Sequence, residues 1–534
     1  MTMQIPNTFA NKQSKLLFIG VILPVIIIVQ IIGISTVPQF YSDDYYIFGL
    51  IASQPHDMLP DSLTNQYFLN SRIANYILLW TEYHVFGQNS IAIKFFALFL
   101  FVLSVVVLGI LIRRIASHFT VRINDYVVLI LQLLYGIHHS NVISVIWISN
   151  QNETVMVLFY MLSIIMFVNM IEKERGALLY GIGAMVFFAI SALTKQQSVH
   201  LPALFLLYYF VRRKELGRKE RFVLITIAAV GCIMIALFFV NATSMEHGRL
   251  GQFVATLWKK PFSIIGVLIT LMLPVKYAEV YHYFFTHLWL ALCMGLLVAV
   301  PLIVFFKSKK TLLLIACTTL IIFFPRVFDI GDNDRVNTIQ LIWFCIGLHV
   351  ALTDVFRRNT LIAAFTLIVI LSHGYGYFDK VDTLRTDINR LEQTMVLLYE
   401  KTKNETQPII VLLSPEVTNI PSWIYFVKHK TFGFDTQYSY YPIYYVQSRK
   451  TPFDNFTQTI EYTVSGDTVS FTSKDALISI ARKNSTDSLV IKETKVFREN
   501  LSSLVLRITP EQRLNASLFF FDGSAWRQIF SAGE

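Results

Sequence analysis

The stretch LLFIGVILPVIIIVQIIGISTVPQFYSDDYY, Leu16 to Tyr46, organises the chain. Leu16 to Val37 carries no charge and can cross a bilayer as a helix, because about 20 apolar residues cover a hydrocarbon core of about 30 Å. Asp43 and Asp44 follow immediately, flanked by Tyr41, Tyr45 and Tyr46. Carboxylates are costly near lipid and tend to mark substrate or ion pathways there. Tyrosine favours the headgroup level, since one end of its side chain is apolar and the other polar. The pattern predicts an acidic catalytic loop at the outer face of a membrane enzyme.

The composition agrees with a polytopic membrane protein. The 534 residues are 54% hydrophobic and 15% charged, with a mean hydropathy of +0.54, whereas soluble chains carry about 25% charged residues. The net charge of +10 does not point to nucleic acid. Lys and Arg fall mostly in short clusters between apolar runs, which is the positive-inside pattern. Cys232, Cys293, Cys317 and Cys345 all lie within apolar runs, so they indicate neither a disulfide framework nor a zinc site.

Lys12 and Lys15 precede the first run, and Thr36-Val37-Pro38 offers no small-residue cleavage site. A retained first helix starting in the cytoplasm is expected. Residues 38–89 form a mixed outer loop whose later part has the spacing of a short helix lying on the membrane. Further spans are expected at Ile91–Ile112, Tyr126–Ile148, Glu153–Ile171, Ala177–Leu193, Val199–Val211, Phe222–Val240, Phe284–Phe306, Thr311–Phe324, Thr338–Ala351 and Thr360–Phe378. Basic clusters at Arg113-Arg114, Lys173–Arg175, Arg212–Arg221, Lys307–Lys310 and Arg357-Arg358 mark cytoplasmic ends. That sidedness requires Pro261–Glu279, interrupted by Pro274, not to span, which leaves about eleven transmembrane helices. The expected architecture is a transmembrane catalytic domain, residues 1–378, followed by a soluble α+β extracytoplasmic domain, residues 379–534. In the latter, Leu384, Ile388, Leu391, Met395 and Leu398 keep helical spacing, and six short apolar runs read as strands.

These features resemble the GT-C superfamily of membrane glycosyltransferases. The resemblance lies in the retained first helix followed by Ser42-Asp43-Asp44, in the amphipathic outer loop ending His84-Val85-Phe86-Gly87, and in Ala192-Leu193-Thr194-Lys195-Gln196-Gln197 ahead of Leu201-Pro202. It covers roughly residues 16–380. It implies transfer of a sugar from a polyprenyl-phosphate carrier outside the membrane. In size and outer tail the chain is similar to serotype-converting glucosyltransferases that decorate lipid-linked O-antigen.

The chemistry asks for the same residue types. An acceptor hydroxyl must lose its proton as it attacks the anomeric carbon, so a carboxylate within hydrogen-bond reach serves as general base. The resemblance aligns the usual first acid with Asp43 and leaves Asp44 as its partner, or the reverse; capping of the next helix is the competing reading for both. The leaving lipid phosphate needs cations, and Arg72, Lys195 and Arg335 all fall on the expected outer side. Ion pairing or snorkelling competes with phosphate contact at each. Glu153, in Trp147-Ile148-Ser149-Asn150-Gln151-Asn152-Glu153, is a possible second acid or acceptor contact together with Asn152, against a reading of this turn as a helix cap at Asn150 or Asn152. His138-His139 reads as a helix–helix hydrogen bond, with a proton relay or a ligand as the alternative. The tyrosines of 438–445 offer faces for sugar stacking or for packing of the tail.

The expected function is therefore inverting, polyprenyl-phosphate-sugar-dependent hexosyl transfer to a glycan or glycolipid acceptor such as O-antigen, on the periplasmic face of a bacterial inner membrane. No cofactor is expected, although two adjacent carboxylates leave room for a divalent metal at Asp43 and Asp44. Expected partners are the lipid-linked sugar, the acceptor and membrane lipid, not nucleic acid. The rivals are a transporter or flippase, which would show internal repeats and broken helices, and a membrane acyltransferase with a histidine base.

Overall fold

The structure, a computed structural model, describes residues 12–40, 73–172, 176–212, 269–275, 338–355 and 360–402, scattered positions including Asp44, Phe48 and Val267, and nine strands between 409 and 530. The first helix, α1 (Lys12–Thr36), is continuous and includes a π-type turn at Phe18–Ile22. One face buries Phe18, Ile22, Ile26 and Gln30, while Leu16, Ile19, Val21, Val25, Ile28 and Ile32 stay exposed. An apolar face left uncovered by protein over this length suits lipid rather than water.

The bundle continues with α2 (Ile73–Phe86), α3 (Ser90–His118), α4 (Asp125–Ile137) and α5 (His139–Ile146). Then come α6 (Asn152–Glu172), α7 (Ala177–Thr194), α8 (Leu201–Arg212), α9 (Thr338–Val355) and α10 (Thr360–Thr402). Asparagines start two of them. Asn89 Oδ1 accepts from Ala92 N at 3.1 Å, and Asn124 Oδ1 accepts from Tyr126 N at 3.1 Å, satisfying amides that have no partner in the first turn. Among the described residues, Lys12–Thr36, Ser90–His118, Ile148–Glu172 and Ala177–Thr194 are long and apolar enough to cross a membrane. The chain is a helical membrane protein with several apolar spans. Phe222–Val240 is described only at scattered helical positions, Ile225, Thr226, Ala229 and Gly231, and Phe284–Phe306 and Thr311–Phe324 lie outside the described residues.

Two expected elements differ in form. The run Tyr126–Ile148 is not one straight helix: α4 and α5 are bent by 48° around His138. His138 adopts an extended backbone, and its Nδ1 accepts from Ser140 N at 3.2 Å, so its side chain starts the new helix. The run Thr360–Phe378 does not stop at Phe378 but continues as the 43-residue α10. Neither Pro nor Gly occurs between Phe378 and Thr402, so nothing breaks the helix there. Leu384, Ile388 and Leu398, spaced along its later half, are buried. The segment 269–272 is helical and stops just before Pro274, where proline cannot continue the ladder.

Polar side chains tie the helices together. Tyr377 Oη donates to Gln30 Oε1 at 2.8 Å, and Gln30 Nε2 donates to Gly136 O at 2.9 Å, all buried. A side chain at Gly33 would collide with Tyr377 and Ile146, so α1 and α10 approach this closely only over glycine. Gln132 Nε2 donates to Val105 O at 2.9 Å and joins α4 to α3 in the same manner.

The chain packs as two units, Met1–Gln39 with Asp57–Leu384, and Phe40–His56 with Arg385–Glu534. In the second, strands β1 (Ile409–Leu413), β2 (Tyr438–Val446), β5 (Leu477–Ile480), β8 (Ser517–Phe521) and β9 (Trp526–Phe530) form a sheet in the order β5-β2-β1-β8-β9, with β1 parallel to β2 and β8. A second sheet, β3-β4-β7-β6, pairs β3 (Glu461–Ser465), β4 (Thr468–Ser473), β6 (Val490–Thr494) and β7 (Ser502–Arg507) antiparallel. The tyrosine-rich stretch 438–445 lies on β2.

Tyr377→Phe removes the donor to Gln30 and leaves a buried amide oxygen unsatisfied. It is expected to cost about 1–3 kcal/mol, read as a lowered unfolding midpoint of the detergent-solubilised protein. An unchanged midpoint would mean the tie between α1 and α10 does not operate.

Candidate functional site

Ion pairs sort the two ends of the bundle. At one end Arg113 Nε meets Asp125 at 3.0 Å, His118 Nδ1 meets Glu172 at 3.1 Å, and Arg114 meets Glu172 at 3.7 Å. Ser14 near the start of α1 donates to Asp125 at 3.4 Å. The start of α1, the end of α3, the start of α4 and the end of α6 therefore share this end.

The other end holds Lys94, Glu82, Glu153 and Lys195. Lys94, on the first turns of α3, is fully buried and donates from Nζ to the carbonyls of Val37 at 2.6 Å and Gln39 at 2.5 Å. Ser90 Oγ donates to Pro38 O at 2.6 Å. A lysine inside an otherwise apolar run is expensive. Here it satisfies carbonyls just past the end of α1, where the helix leaves them without intrahelical partners. Gln151 Nε2 donates to Glu82 Oε2 at 2.5 Å, joining α2 to the turn before α6.

Beside that turn stands a buried acid–base pair. Glu153, on the first turn of α6, is ion-paired with Lys195 at the end of α7. Its second oxygen accepts from Thr338 Oγ1 at 3.0 Å on the first turn of α9. Glu153 is 0% exposed and the Lys195 side chain 12%, so the carboxylate is held entirely by protein groups while the ammonium keeps some access. Lys195 has an extended backbone that ends α7, and Gln196–His200 then turns into α8.

A second layer lies two helical turns further in along α6. Trp343 Nε1 donates to Tyr160 Oη at 2.9 Å, Tyr160 Oη lies 3.1 Å from His200 Nε2, and His200 Nδ1 lies 2.6 Å from Gln197 O. Gln197 O can only accept, so His200 carries its proton on Nδ1, and Nε2 accepts from the tyrosine. Both layers use the same elements: α6, the turn after α7, and α9. Together they fix the position of Lys195.

The structure thus unites two of the residues picked out in the sequence, Glu153 and Lys195. Asn152 is buried beside them, and its Oδ1 makes no hydrogen bond among the described residues, so this side chain is not the helix cap. Asp44 is fully buried. Asp43, Arg72 and Arg335 lie outside the described residues. Thr338, Glu82 and Lys94 were not singled out in the sequence. Lys94 carried a signal, a charge within the apolar run 91–112, whereas nothing local marks Thr338. A small apolar cavity of about 70 Å³, lined by His118, Phe167, Phe205, Tyr208 and Trp343, touches none of Glu153, Lys195 or Thr338.

No family model and no curated protein matches the sequence. Among solved structures, ArnT from Cupriavidus metallidurans bound to undecaprenyl phosphate is similar over 78% of this chain and 85% of that chain, at 10% identity and a TM-score of 0.45. At that distance the likeness carries no argument, and the chemistry rests on the residues themselves.

Removing one member of the buried pair strands the other. Glu153→Gln and Lys195→Met are each expected to destabilise by about 3–5 kcal/mol, and the double variant by clearly less than their sum. Unfolding of the three variants in detergent measures this; strict additivity would show that the two groups do not interact.

Proposed function

We propose that this chain is a membrane glycosyltransferase that takes a sugar from a polyprenyl-phosphate carrier. One observation carries the reading. The charged groups Lys94, Glu82, Glu153 and Lys195 gather at the end of the bundle where α1 ends, opposite Arg113 and Arg114. A transporter would place its charges near mid-membrane; a transferase acting on a lipid headgroup needs them at the rim.

In this mechanism Asp43 or Asp44 accepts the proton of the acceptor hydroxyl as its oxygen attacks the anomeric carbon. The bond from that carbon to the lipid phosphate oxygen breaks, and the sugar inverts. Negative charge develops on the departing phosphate, where Lys195, positioned by Glu153, acts with Arg72 and Arg335. The end that carries Lys94, Glu153 and Lys195 faces the periplasm of a bacterial inner membrane. Arg113 and Arg114 at the opposite end support that sidedness, and the acceptor is a glycan or glycolipid of the O-antigen kind.

The break between α4 and α5 favours a second reading, since broken helices are a transporter feature. One experiment separates the two. Purified full-length protein in liposomes is given radiolabelled polyprenyl-phosphate sugars and candidate glycolipid acceptors, and both label transfer and movement of lipid between leaflets are scored. Transfer that falls at least about 100-fold in Asp43→Asn or Asp44→Asn, in line with the loss of a general base, supports the transferase. Lipid movement without transfer, unaffected by either substitution, would replace it with the transporter.

A further inference from the structure

The bend that divides α4 from α5 brings His138 and His139 against His373 of α10, residues 234 positions apart in the case of His139 and His373. All three are buried, at 0%, 4% and 0% exposure. Each offers a ring nitrogen, and these three nitrogens lie within 4.8 Å of one another. The rings of His138 and His373 stack with centroids 4.0 Å apart. Gly376, one turn beyond His373, lets Pro274 approach α10 closely, because a side chain there would collide with Pro274.

The ring nitrogens of this cluster constrain one another. Nδ1 of His139 and Nδ1 of His373 are 3.1 Å apart, so as neutral rings one of them must donate and the other accept. The accepting ring then carries its proton on Nε2. His138 Nδ1 accepts from Ser140 N, which puts its proton on Nε2 as well. None of the three Nε2 atoms makes a well-aligned hydrogen bond among the described residues, although the backbone of Leu271 lies near His138 and His373 and that of Val275 near His139.

We propose that His138, His139 and His373 form a binding site for a late first-row transition-metal ion, with zinc(II) the ion best suited to three imidazoles. Tetrahedral zinc with Zn–N bonds of about 2.0–2.1 Å holds two nitrogens about 3.3 Å apart, close to the Nδ1–Nδ1 separation. His138 would bind through Nε2, its Nδ1 being taken by Ser140. A ring that binds through Nδ1 directs Nε2–H outward, and such outer protons normally meet a backbone carbonyl or carboxylate. The backbone of Leu271 and Met272 acts on His373 and that of Val275 on His139. These carbonyls belong to the end of the 269–272 helix and the turn after it, where helical carbonyls lack partners. No fourth ligand is supplied by the described residues. The positive charge of Lys380 acts on His138 and His139, so the metal is expected to bind reversibly rather than to be trapped, and titration is the appropriate test. The site shares no residue with the Glu153–Lys195 pair and does not depend on the transferase reading.

The probe is cobalt(II), which reports tetrahedral nitrogen coordination through visible absorption. It is titrated into full-length protein in detergent, with any affinity tag removed. One equivalent of tetrahedral cobalt, displaced by one equivalent of zinc(II), is expected. His139→Ala and His373→Ala should weaken binding by more than the roughly 10–100-fold that loss of an outer-shell partner costs. Absence of a one-to-one signal in the wild-type protein overturns the site whatever the variants do. So does equal binding by wild type and by histidine variants that elute as folded monodisperse protein.

Discussion

Most of this structure follows from one constraint: a polar group buried in an apolar bundle must find its partner within the chain. Gln30 lies in the middle of the uncharged first helix, and it is there because its amide reaches two other elements, Gly136 O and Tyr377 Oη. That single side chain sets the spacing of α1, α4 and α10. Glycine at 33 lets the backbones come close enough for it to do so. Lys94 obeys the same rule at the rim, where its ammonium replaces water for the carbonyls of Val37 and Gln39.

The rule also explains why the charged groups lie where they do. The two ends of the bundle are chemically different. One carries Arg113, Arg114 and His118 with Asp125 and Glu172; the other carries Lys94, Glu82, Glu153 and Lys195. Between them the described polar contacts are mostly neutral. The layer of Tyr160, His200 and Trp343 closes its hydrogen bonds without a net charge. The histidine cluster sits at the break between α4 and α5.

Legibility differed by the range of the interaction. The apolar helices could be read from composition, since a run such as Leu16–Val37 has no other stable arrangement. The caps at Asn89 and Asn124 act within three residues and are equally local. The bend at His138 was missed because hydropathy registers only how apolar Tyr126–Ile148 is, not that an imidazole takes over an amide inside it. The helical spacing from Leu384 to Leu398 was legible, but that this helix is one with the last span was missed for a related reason: a change from apolar to polar composition marks where lipid ends, not where a helix ends.

By itself the sequence determined that this is a membrane protein with several apolar spans, with an acid pair soon after the first and basic clusters mostly between them. Those features depend on runs of neighbouring residues and on the cost of charge in lipid. Only the tertiary structure decided that Glu153 belongs with Lys195 and Thr338, that Lys94 holds the exit of α1, and that His373 completes a trio with His138 and His139. Each joins residues from tens to more than two hundred positions apart, and no local spacing encodes which helix faces which. That choice is made by the packing of small and large side chains and by the need of every buried polar atom for a partner.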